Sequence, residues 1–370
     1  MKYYILAGEA SGDLHGSNLI KALKSVDDNA EIRCWGGDLM QDAGGELVKH
    51  YKERAFMGFT EVLMNLRKIF KLISFCKEDI TAFNPDVVVF IDNSGFNLRI
   101  AKWAKASGFR TNYYISPQVW ASRASRVKAI KRDIDNMFVI LPFVKPFYKT
   151  HNYNVEFVGH PLIDAIANRT QVNPKAFRIA HKLDDKPIIA LLPGSRKQEI
   201  TKMLSVMLSL IDEFPEYQFV IGGAPSQDFE FYKPFIKNKN VGFIPNKTYD
   251  LLSVSYAALV TSGTATLETA LFKVPQVVCY KGSSISYHIA KRIITLKFIS
   301  LVNLVMDKEV VTELIQNDFN KKRLKKELEH ILDDQQRTVM FNNYYELEKK
   351  LGGKGASKKT ATLIYNALKA

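Results

Sequence analysis

The first residues that could do chemistry follow a short apolar stretch near the start of the chain. After Tyr3–Ala7 comes a polar run with glycines at positions 8, 12 and 16 and with Glu9, Ser11 and Asp13 between them. Glycines let the backbone approach a ligand closely. The run has neither the dinucleotide pattern GxGxxG nor the Lys-Ser/Thr pair of an ATP-binding P-loop. We expect a ligand-binding turn between a strand and a helix, and a plain turn with Asp13 as helix N-cap stays open.

A second group of polar residues follows another apolar stretch, Val87–Ile91. It begins with Asp92 and Asn93 and continues to Asn97. A carboxylate at the junction of a strand and a loop is well placed to act as a general base. The alternative, in which Asp92 or Asn93 only caps the next helix, is equally compatible with the sequence.

Two groups in the second half of the chain indicate anion binding. The first ends an apolar stretch with Leu192–Arg196, and the guanidinium of Arg196 suits a phosphate. The second is Ser262–Thr264, which precedes a predicted helix whose first N–H groups attract anions. Glu268 lies one turn after Thr264, where it could accept both hydroxyls of a ribose. The structural alternative is a capping box, in which the acid stands three residues after the N-cap residue. Glu268 is not three residues after Ser262 or Thr264, so this alternative fits the sequence poorly.

One acidic pair looks like a metal site and is interpreted otherwise. Asp133-Ile134-Asp135 matches the DxD pattern of metal-dependent glycosyltransferases, but it precedes a predicted strand, Met137–Leu141. Ligands of parallel sheets bind at the carboxyl ends of strands, so we interpret this pair as structural. No cluster of His, Cys and carboxylates has metal-ligand spacing. The sequence therefore predicts metal-independent chemistry and no cofactor.

The elements that must position these groups alternate between strand-like and helix-like segments. This alternation predicts an α/β fold of two doubly wound, Rossmann-like domains that face a cleft. A polar stretch over about 164–186 indicates the passage between domains. We predict a first domain over 1–165 and a second over 166–354. A last helix over about 355–370 is a candidate to return to the first domain.

Composition sets the class of protein. With 370 residues, 46% hydrophobic and 24% charged, the chain is typical of a globular protein with two cores. The 52 Lys and Arg against 38 Asp and Glu give a charge of +14, which favours an anionic partner unless it reflects composition bias alone. The basic stretches lack interleaved aromatics and any nucleic-acid-binding motif, so we expect no nucleic acid. Three separated cysteines are typical of a reducing compartment.

A membrane contact, if there is one, is expected to be peripheral. The first residues are too short an apolar stretch for a signal peptide, and no apolar run reaches the ~20 residues of a membrane span. The segment 57–73 predicts an amphipathic helix with basic residues beside an apolar face: Val62, Leu63, Leu66, Ile69, Phe70 and Ile73. Such a helix could lie in a membrane interface. A helix packed into the core has the same spacing.

Taken together, these segments resemble the lipid-A-disaccharide synthases. The resemblance runs from Ile5 to near the C-terminus and rests on Leu6–Asp13, Ser116–Ala121, Phe157–Pro161, Leu192–Arg196, Ser262–Ala265, Ile299–Leu304 and Gly352–Ser357. It implies a glycosyltransferase B-type fold. It also implies transfer of diacylglucosamine from its UDP donor to diacylglucosamine 1-phosphate, with a new β-1,6 linkage and inversion at the donor carbon.

The resemblance also implies roles for individual residues. The UDP-binding positions would be Arg196, Ser262, Gly263, Thr264, Glu268 and Asn303, and the acceptor positions Glu9, Ser11 and Asn18. The base would be Asp92 or His15. The sequence departs from the family pattern where Ser94-Gly95 replaces a common Pro-Asp pair, and where Ala121-Ser122-Arg123 stands in place of a frequent second Trp. The first departure leaves Asp92 as the sole acid in its loop.

Acylated substrates would favour a place at the inner face of the inner membrane. The resemblance thus gives the segment 60–75 and the positive charge a partner, an anionic membrane surface. A homodimer stays open. The alternative within enzymes is a UDP-N-acetylglucosamine 2-epimerase, or another B-type glycosyltransferase that acts on a soluble sugar.

Overall fold

The computed structural model describes residues 1–54, 66–122, 124–282 and 297–369. It divides the chain into two compact units. The first unit comprises Met1–Ala167 and Leu351–Ala370, and the second comprises Asn168–Lys350. Val62 and Leu63 of the predicted amphipathic face lie outside the described residues, as does Arg123.

The described part of the first unit contains a seven-stranded parallel sheet in the order β3-β2-β1-β4-β5-β6-β7. Strands β1 and β4 at its centre are apolar and almost wholly buried, as a parallel sheet covered on both faces requires. The strands are β1 Lys2–Ala7, β2 Glu31–Gly36, β3 Glu46–His50, β4 Val87–Ile91, β5 Thr111–Tyr114, β6 Asn136–Val139 and β7 Glu156–Phe157.

Helices connect these strands, and the first of them begins earlier than expected. The sequence predicts a helix from Leu14, whereas α1 begins at Ala10, with Glu9 as its extended N-cap residue. Ser11 and Asp13 therefore lie on the first turn of α1 rather than in a loop. The helices are α1 Ala10–Val26, α2 Asp38–Asp42, α3 Leu66–Phe83, α4 Ser94–Ala106, α5 Val119–Ser122, α6 Val127–Asp133, α7 Val144–Thr150 and α8 Pro161–Ala167.

The described part of the second unit contains a six-stranded parallel sheet in the order β10-β9-β8-β11-β12-β13. Its strands are β8 Ile188–Leu192, β9 Gln218–Gly223, β10 Gly242–Pro245, β11 Ser255–Thr261, β12 Gln276–Tyr280 and β13 Glu313–Ile315. Its helices are α9 Pro174–Ala180, α10 Lys197–Leu208, α11 Phe229–Ile236, α12 Thr248–Ser253, α13 Thr264–Leu271, α14 Leu301–Met306, α15 Lys321–Leu332 and α16 Asp334–Lys350.

The last helix, α17 (Ala356–Lys369), belongs to the first unit. Ala361 and Ile364 lie in the same buried cluster as β1 and α1. Asp164 caps the start of α17, because its carboxylate accepts hydrogen bonds from the amides of Gly355 (2.6 Å) and Ser357 (3.2 Å). Two parallel α/β sheets confirm the predicted fold class.

Strand register brings the polar groups of each unit together. In the first unit Ala7 pairs with Ile91, so the Gly8–Glu9 and Asp92–Asn93 segments leave the sheet side by side. In the second unit Leu192 pairs with Val260, so the loops that hold Arg196 and Ser262 are also neighbours. Both pairs lie at carboxyl ends of parallel strands, where α/β sheets bind ligands.

Candidate active site

The backbone around Asp92 adopts an unusual conformation. Asp92 and Asn93 both have positive φ, 45° and 43°, and so does Ile115 after β5, at 64°. Asn and Asp tolerate this region, but a β-branched residue there is an outlier. Such strain persists only where the surrounding structure enforces it, and it clusters at functional sites.

Asp92 is held by hydrogen bonds of its backbone, and the residue as a whole is exposed. Its amide donates to the carbonyl of Tyr114 (3.2 Å). Its carbonyl accepts from Nδ2 of Asn97 (2.9 Å) and from the hydroxyl of Tyr113. Desolvation by the surrounding protein and the nearby charge of Glu9 raise the pKa of the Asp92 carboxyl. A raised pKa makes a carboxylate a better proton acceptor near neutral pH.

The turn after β1 fits closely against the turn after β4. A Cβ atom on Gly8 would come within 2.0 Å of Nδ2 of Asn93, so only glycine can occupy position 8 without displacing Asn93. The glycine at this position therefore allows contact between two protein loops.

Asp13 is buried and serves a neighbouring helix. Its carboxylate accepts hydrogen bonds from the amides of Gly37 (2.8 Å), Met40 (3.0 Å) and Leu39 (3.2 Å) at the start of α2. It thus satisfies N–H groups that lack partners within that helix. The reading of Asp13 as N-cap of its own helix is wrong, because α1 already includes it.

His15 and Asn18 lie further along α1, on the same side as the exposed Ser11. His15 is 8% exposed, and burial lowers its pKa to about 4, so its ring is neutral at pH 7. Nδ1 of His15 and Nδ2 of Asn18 are buried and have no hydrogen-bond partner among the described residues. Such atoms are uncommon in folded proteins and are ones that a ligand or water could satisfy. We call Glu9, Ser11, His15, Asn18 and Asp92 the first cluster.

In the second unit, Arg196 presents its guanidinium to solvent, with the side chain 81% exposed. It is the N-cap residue of α10. Glu199 accepts hydrogen bonds from the amides of Ser195 (3.4 Å) and Arg196 (3.3 Å) and from Nη1 of Arg196 (3.2 Å). The backbone donors of this loop are therefore used within the protein, and the guanidinium is what the loop offers an anion.

The neighbouring loop opens helix α13 with Gly263 as its N-cap residue. Gly263 and Thr264 are exposed, and no atom of the residues that the structure describes lies within 4 Å of a Cβ placed on Gly263. The hydroxyl of Ser262 instead donates to the carbonyl of Ile299 (3.0 Å). The first N–H groups of a helix lack intrahelical acceptors and carry the positive end of its dipole. This loop can therefore bind an anion through its backbone.

Glu268 is one turn further along α13 and is partly buried. Its Oε1 accepts a hydrogen bond from the hydroxyl of Tyr249 (2.7 Å), and burial raises the pKa of its carboxyl. Tyr249 fixes one carboxylate oxygen, which leaves the second for another partner. We call Arg196, Ser262, Gly263, Thr264 and Glu268 the second cluster.

The resemblance assigns Asn303 to UDP binding, and the structure gives its side chain several partners within the protein. It is fully buried, and its Nδ2 donates to Val311 O (2.8 Å) and Glu313 Oε1 (2.9 Å). Its Oδ1 accepts from the amides of Val310 (2.8 Å) and Val311 (3.0 Å). The side-chain amide of Asn303 is therefore engaged within the protein in this structure.

Glu313 is the other side chain of this hydrogen-bonded group, and it is not among the residues predicted from the sequence. Its carboxylate accepts hydrogen bonds from the amides of Ile299 and Ser300, each at 2.9 Å. Since Ile299 also receives the hydroxyl of Ser262, Glu313 connects β13 to the loop of the second cluster. No signal in the sequence marks this contact, because its partners are joined only by the fold.

The two acids of the DxD pair, Asp133 and Asp135, lie before a strand, as the sequence predicts. Asp133 pairs with Arg132 (2.6 Å), and Asp135 pairs with Lys105 and accepts from the amide of Thr111 (3.0 Å). Both acids stand at the amino end of β6 and are engaged in local structure. In the part of the chain that the structure describes, no three His, Cys, Asp or Glu residues are grouped to hold a metal ion.

Helix α3 leaves apolar side chains uncovered. Phe70 and Phe75 are 64% and 44% exposed, next to the exposed cations Arg67, Lys68 and Lys71. Cys76 and Ile80, further along the helix, are fully buried. Among the described residues, no helix is both long enough and apolar enough to cross a membrane.

The fold places the chain in a class that contains glycosyltransferases and nucleotide-sugar epimerases. The MnaA–UDP co-structure from S. aureus has a TM-score of 0.72 at 15% identity and covers 100% of this chain and 97% of its own. UDP-GlcNAc 2-epimerase from Neisseria meningitidis bound to UDP-GlcNAc has a TM-score of 0.70 at 12% identity, with 100% of both chains covered. The kitacinnamycin glycosyltransferase has a TM-score of 0.64 at 13% identity, with 99% of this chain and 98% of its own covered. The fold is that of the B-type glycosyltransferases.

Sequence comparison narrows this class to one family. A family model described as lipid-A-disaccharide synthetase matches residues 3–366. The lipid-A-disaccharide synthase of Syntrophus aciditrophicus is 39% identical over 99% of this chain and 97% of its own length. That of Geobacter metallireducens is 38% identical over 98% and 96%. The chain belongs to the lipid-A-disaccharide synthase family, a family of glycosyltransferases of lipid A biosynthesis.

Proposed function

We propose that this protein transfers 2,3-diacylglucosamine from its UDP donor to 2,3-diacylglucosamine 1-phosphate. The products would be the β-1,6-linked lipid A disaccharide 1-phosphate and UDP. The observation that carries the proposal is the family match over residues 3–366, together with named relatives that align along nearly the whole chain. The chemistry available in the two clusters supports the same reaction.

The second cluster would bind the UDP moiety. Arg196 offers an exposed guanidinium, and the adjacent N-terminus of α13 offers backbone donors and a positive dipole. A diphosphate needs both kinds of partner, because its charge is spread over several oxygens. Glu268 would accept a ribose hydroxyl with the oxygen that Tyr249 leaves free, and Asn303 would support the cluster through Glu313. Two of the solved neighbours have UDP or UDP-GlcNAc in their titles, which agrees with this assignment.

The first cluster would bind the acceptor and supply the base. We assign Asp92 as the base that takes the proton of the acceptor 6-hydroxyl. The oxygen then bonds to the donor C1 on the face opposite the diphosphate, while the C1–O bond breaks and its electron pair leaves with UDP. Attack from the opposite face inverts the donor carbon. Glu9, Ser11 and Asn18 would bind the acceptor sugar.

Asp92 suits the base role better than His15 does. Asp92 is an exposed residue, and the pKa of its carboxyl is raised. His15 is buried, and its pKa of about 4 makes it a weak proton acceptor at neutral pH. Its neutral ring with an unpartnered Nδ1 is better suited to a hydrogen bond with the acceptor.

We propose that departure of UDP is assisted by Arg196 and the α13 N-terminus without a metal ion. Both groups place positive charge where the leaving diphosphate gains negative charge. Full activity in EDTA is the expected result. Loss of activity in EDTA with recovery on adding magnesium would contradict this part of the proposal.

We further propose that the protein binds the inner face of the inner membrane through the region around α3. Exposed Phe70 and Phe75 would enter the interface while Arg67, Lys68 and Lys71 meet anionic headgroups. Acylated substrates reside in a bilayer, so a peripheral enzyme of this kind would meet them there.

Incubation with UDP-diacylglucosamine and diacylglucosamine 1-phosphate, followed by mass spectrometry, tests the proposal. Equal amounts of disaccharide 1-phosphate and UDP are expected. The matched control replaces the donor with UDP-N-acetylglucosamine and follows C2 epimerisation. Epimerised nucleotide sugar without disaccharide would reject the transferase and favour the epimerase alternative.

The Asp92→Asn variant tests the base assignment. Asparagine has the same volume and also tolerates a positive φ, so the strained turn should survive the change. Loss of a general base lowers kcat by about 10²–10⁴-fold. UDP affinity should stay near the wild-type value, since the change is confined to the first cluster. A kcat close to that of the wild type would remove Asp92 from the mechanism.

A further inference from the structure

We propose that Asn97 is a positioning residue for the reaction and that it acts by fixing the backbone from which the Asp92 carboxylate projects. This inference rests on the proposed function, in which Asp92 is the base. The hydrogen bonds of the Asn97 side chain go to backbone carbonyls, including that of Asp92. Its effect would reach the reaction only through the direction of Asp92.

The side-chain amide of Asn97 bridges the ends of two strands and the turn at Asp92, and we call this set of hydrogen bonds the clamp. Asn97 is fully buried in the first turns of α4. Its Nδ2 lies 2.9 Å from the carbonyl of Asp92, 3.1 Å from that of Ile91 and 3.3 Å from that of Leu6. Leu6 belongs to β1 and Ile91 to β4, so one amide group joins the ends of both strands to the turn.

The clamp matters because the Asp92 turn is not a low-energy conformation. Positive φ at two successive non-glycine residues is strained and needs support from the surrounding structure. The support is divided between a backbone bond to Tyr114 and two side chains that hold the Asp92 carbonyl, Asn97 and Tyr113. Without Asn97 the turn is free to relax, and the carboxylate on the same residue turns with it.

A small change in the direction of a base has a large kinetic effect. A misplacement of about 1 Å in a reacting group can cost about a hundredfold in rate. Asn97→Ala should therefore lower kcat by about tenfold to a hundredfold and leave the donor KM within about twofold of wild type. A purely structural residue would show no such separation of kcat from KM.

Asn112→Ala is the matched control. Asn112 is also a buried asparagine of the first unit, but it lies near the amino end of β5, where its Oδ1 accepts from Nδ2 of Asn136 (2.9 Å). The two alanine variants remove the same type of side chain, one near the carboxyl ends of the strands and the other near their amino ends. Asn112→Ala should lose stability and keep kcat, and an equal loss of kcat in both variants would overturn the proposal.

A double-mutant cycle with Asp92→Asn separates this proposal from the base assignment. If Asn97 acts through the Asp92 carboxylate, Asn97→Ala should cause no further loss of kcat in the Asp92→Asn background. The same loss in both backgrounds would overturn the positioning role while the base assignment stands. High activity of Asp92→Asn alone would instead overturn the base assignment and, with it, the role of Asn97.

Asn97→Asp keeps the test open if the alanine variant does not fold. An ionised carboxylate at this position would face three carbonyl oxygens with no hydrogen to donate, and its pKa would be raised. Protonation restores one donor, so the kcat of Asn97→Asp relative to wild type should rise as the pH falls from about 8 to about 6. A ratio that stays constant over this range would contradict the clamp.

Discussion

Glu313 offers a test of how the fold holds the second cluster. Its carboxylate accepts from the amides of Ile299 and Ser300, both at 2.9 Å, and from Nδ2 of Asn303 at 2.9 Å. Glu313→Gln keeps the shape and replaces one oxygen with an NH₂ group. Oε1 has two of the three donors, so the lowest-cost arrangement keeps that oxygen and places the NH₂ against the amide of Ile299.

The expected effect follows from this count of bonds. A hydrogen bond to a charged group contributes about 1.5–3 kcal/mol, and the Ile299 amide loses one. The protection of that amide against hydrogen exchange should fall by about tenfold to a hundredfold, since about 1.4 kcal/mol corresponds to tenfold. Ser262 donates a hydrogen bond to the carbonyl of Ile299, so the loop that we propose to bind UDP should become more mobile as well. The KM for the donor should rise while kcat changes little.

Hydrogen exchange with mass spectrometry on peptides that contain Ile299, together with donor KM, measures both effects. Glu309→Gln is the control, because Glu309 is an exposed acid of the same segment and loses the same charge. Unchanged exchange and an unchanged KM in Glu313→Gln would refute the view that this carboxylate holds the second cluster.

Three further predictions concern stability, pH dependence and membrane binding. Asp13→Ala leaves three amides at the start of α2 without their acceptor. The free energy of unfolding, measured with urea, should fall by about 2–3 kcal/mol. A smaller loss than that of Asp42→Ala, a control at an exposed site, would contradict the assigned contacts. The base must be ionised, so kcat/KM should fall as the pH drops through the raised pKa of Asp92. Glu9→Gln, which removes a cause of that rise, should move the acid limb to lower pH, and a limb that does not move would refute the coupling. Replacing Phe70 and Phe75 with Ser should lower binding to anionic vesicles by about tenfold or more. Ile179→Ser, at an exposed site of the second unit, should leave vesicle binding unchanged. Equal binding by both variants would show that α3 does not bind the membrane.

Much of the first cluster could be predicted because it follows from one rule about sheets. Polar residues after apolar strands meet at one edge when the strands are parallel and adjacent, which is how Glu9 comes to lie near Asp92. The same rule made neighbours of the loops that hold Arg196 and Ser262.

What the sequence did not reveal depends on contacts between distant segments. Asp13 looked like a local cap, but its partners are 24 to 27 residues away on α2. Asn303 matched a ligand-binding position, yet its amide is used by Val310, Val311 and Glu313. Neither set of contacts could be read from a local pattern, because the packed fold brings the partners together. The left-handed backbone at Asp92 was likewise unexpected, since aspartate is compatible with several turn conformations.

The central claim is that the protein joins two acylated glucosamines with release of UDP. The most direct measurement is a time course with both substrates in mixed micelles, in which disaccharide 1-phosphate and UDP are quantified by mass spectrometry and Asp92→Asn runs in parallel. The account predicts that both products appear in equal amounts and that the variant makes almost none. Release of UDP without disaccharide, or equal product from the variant, would contradict it.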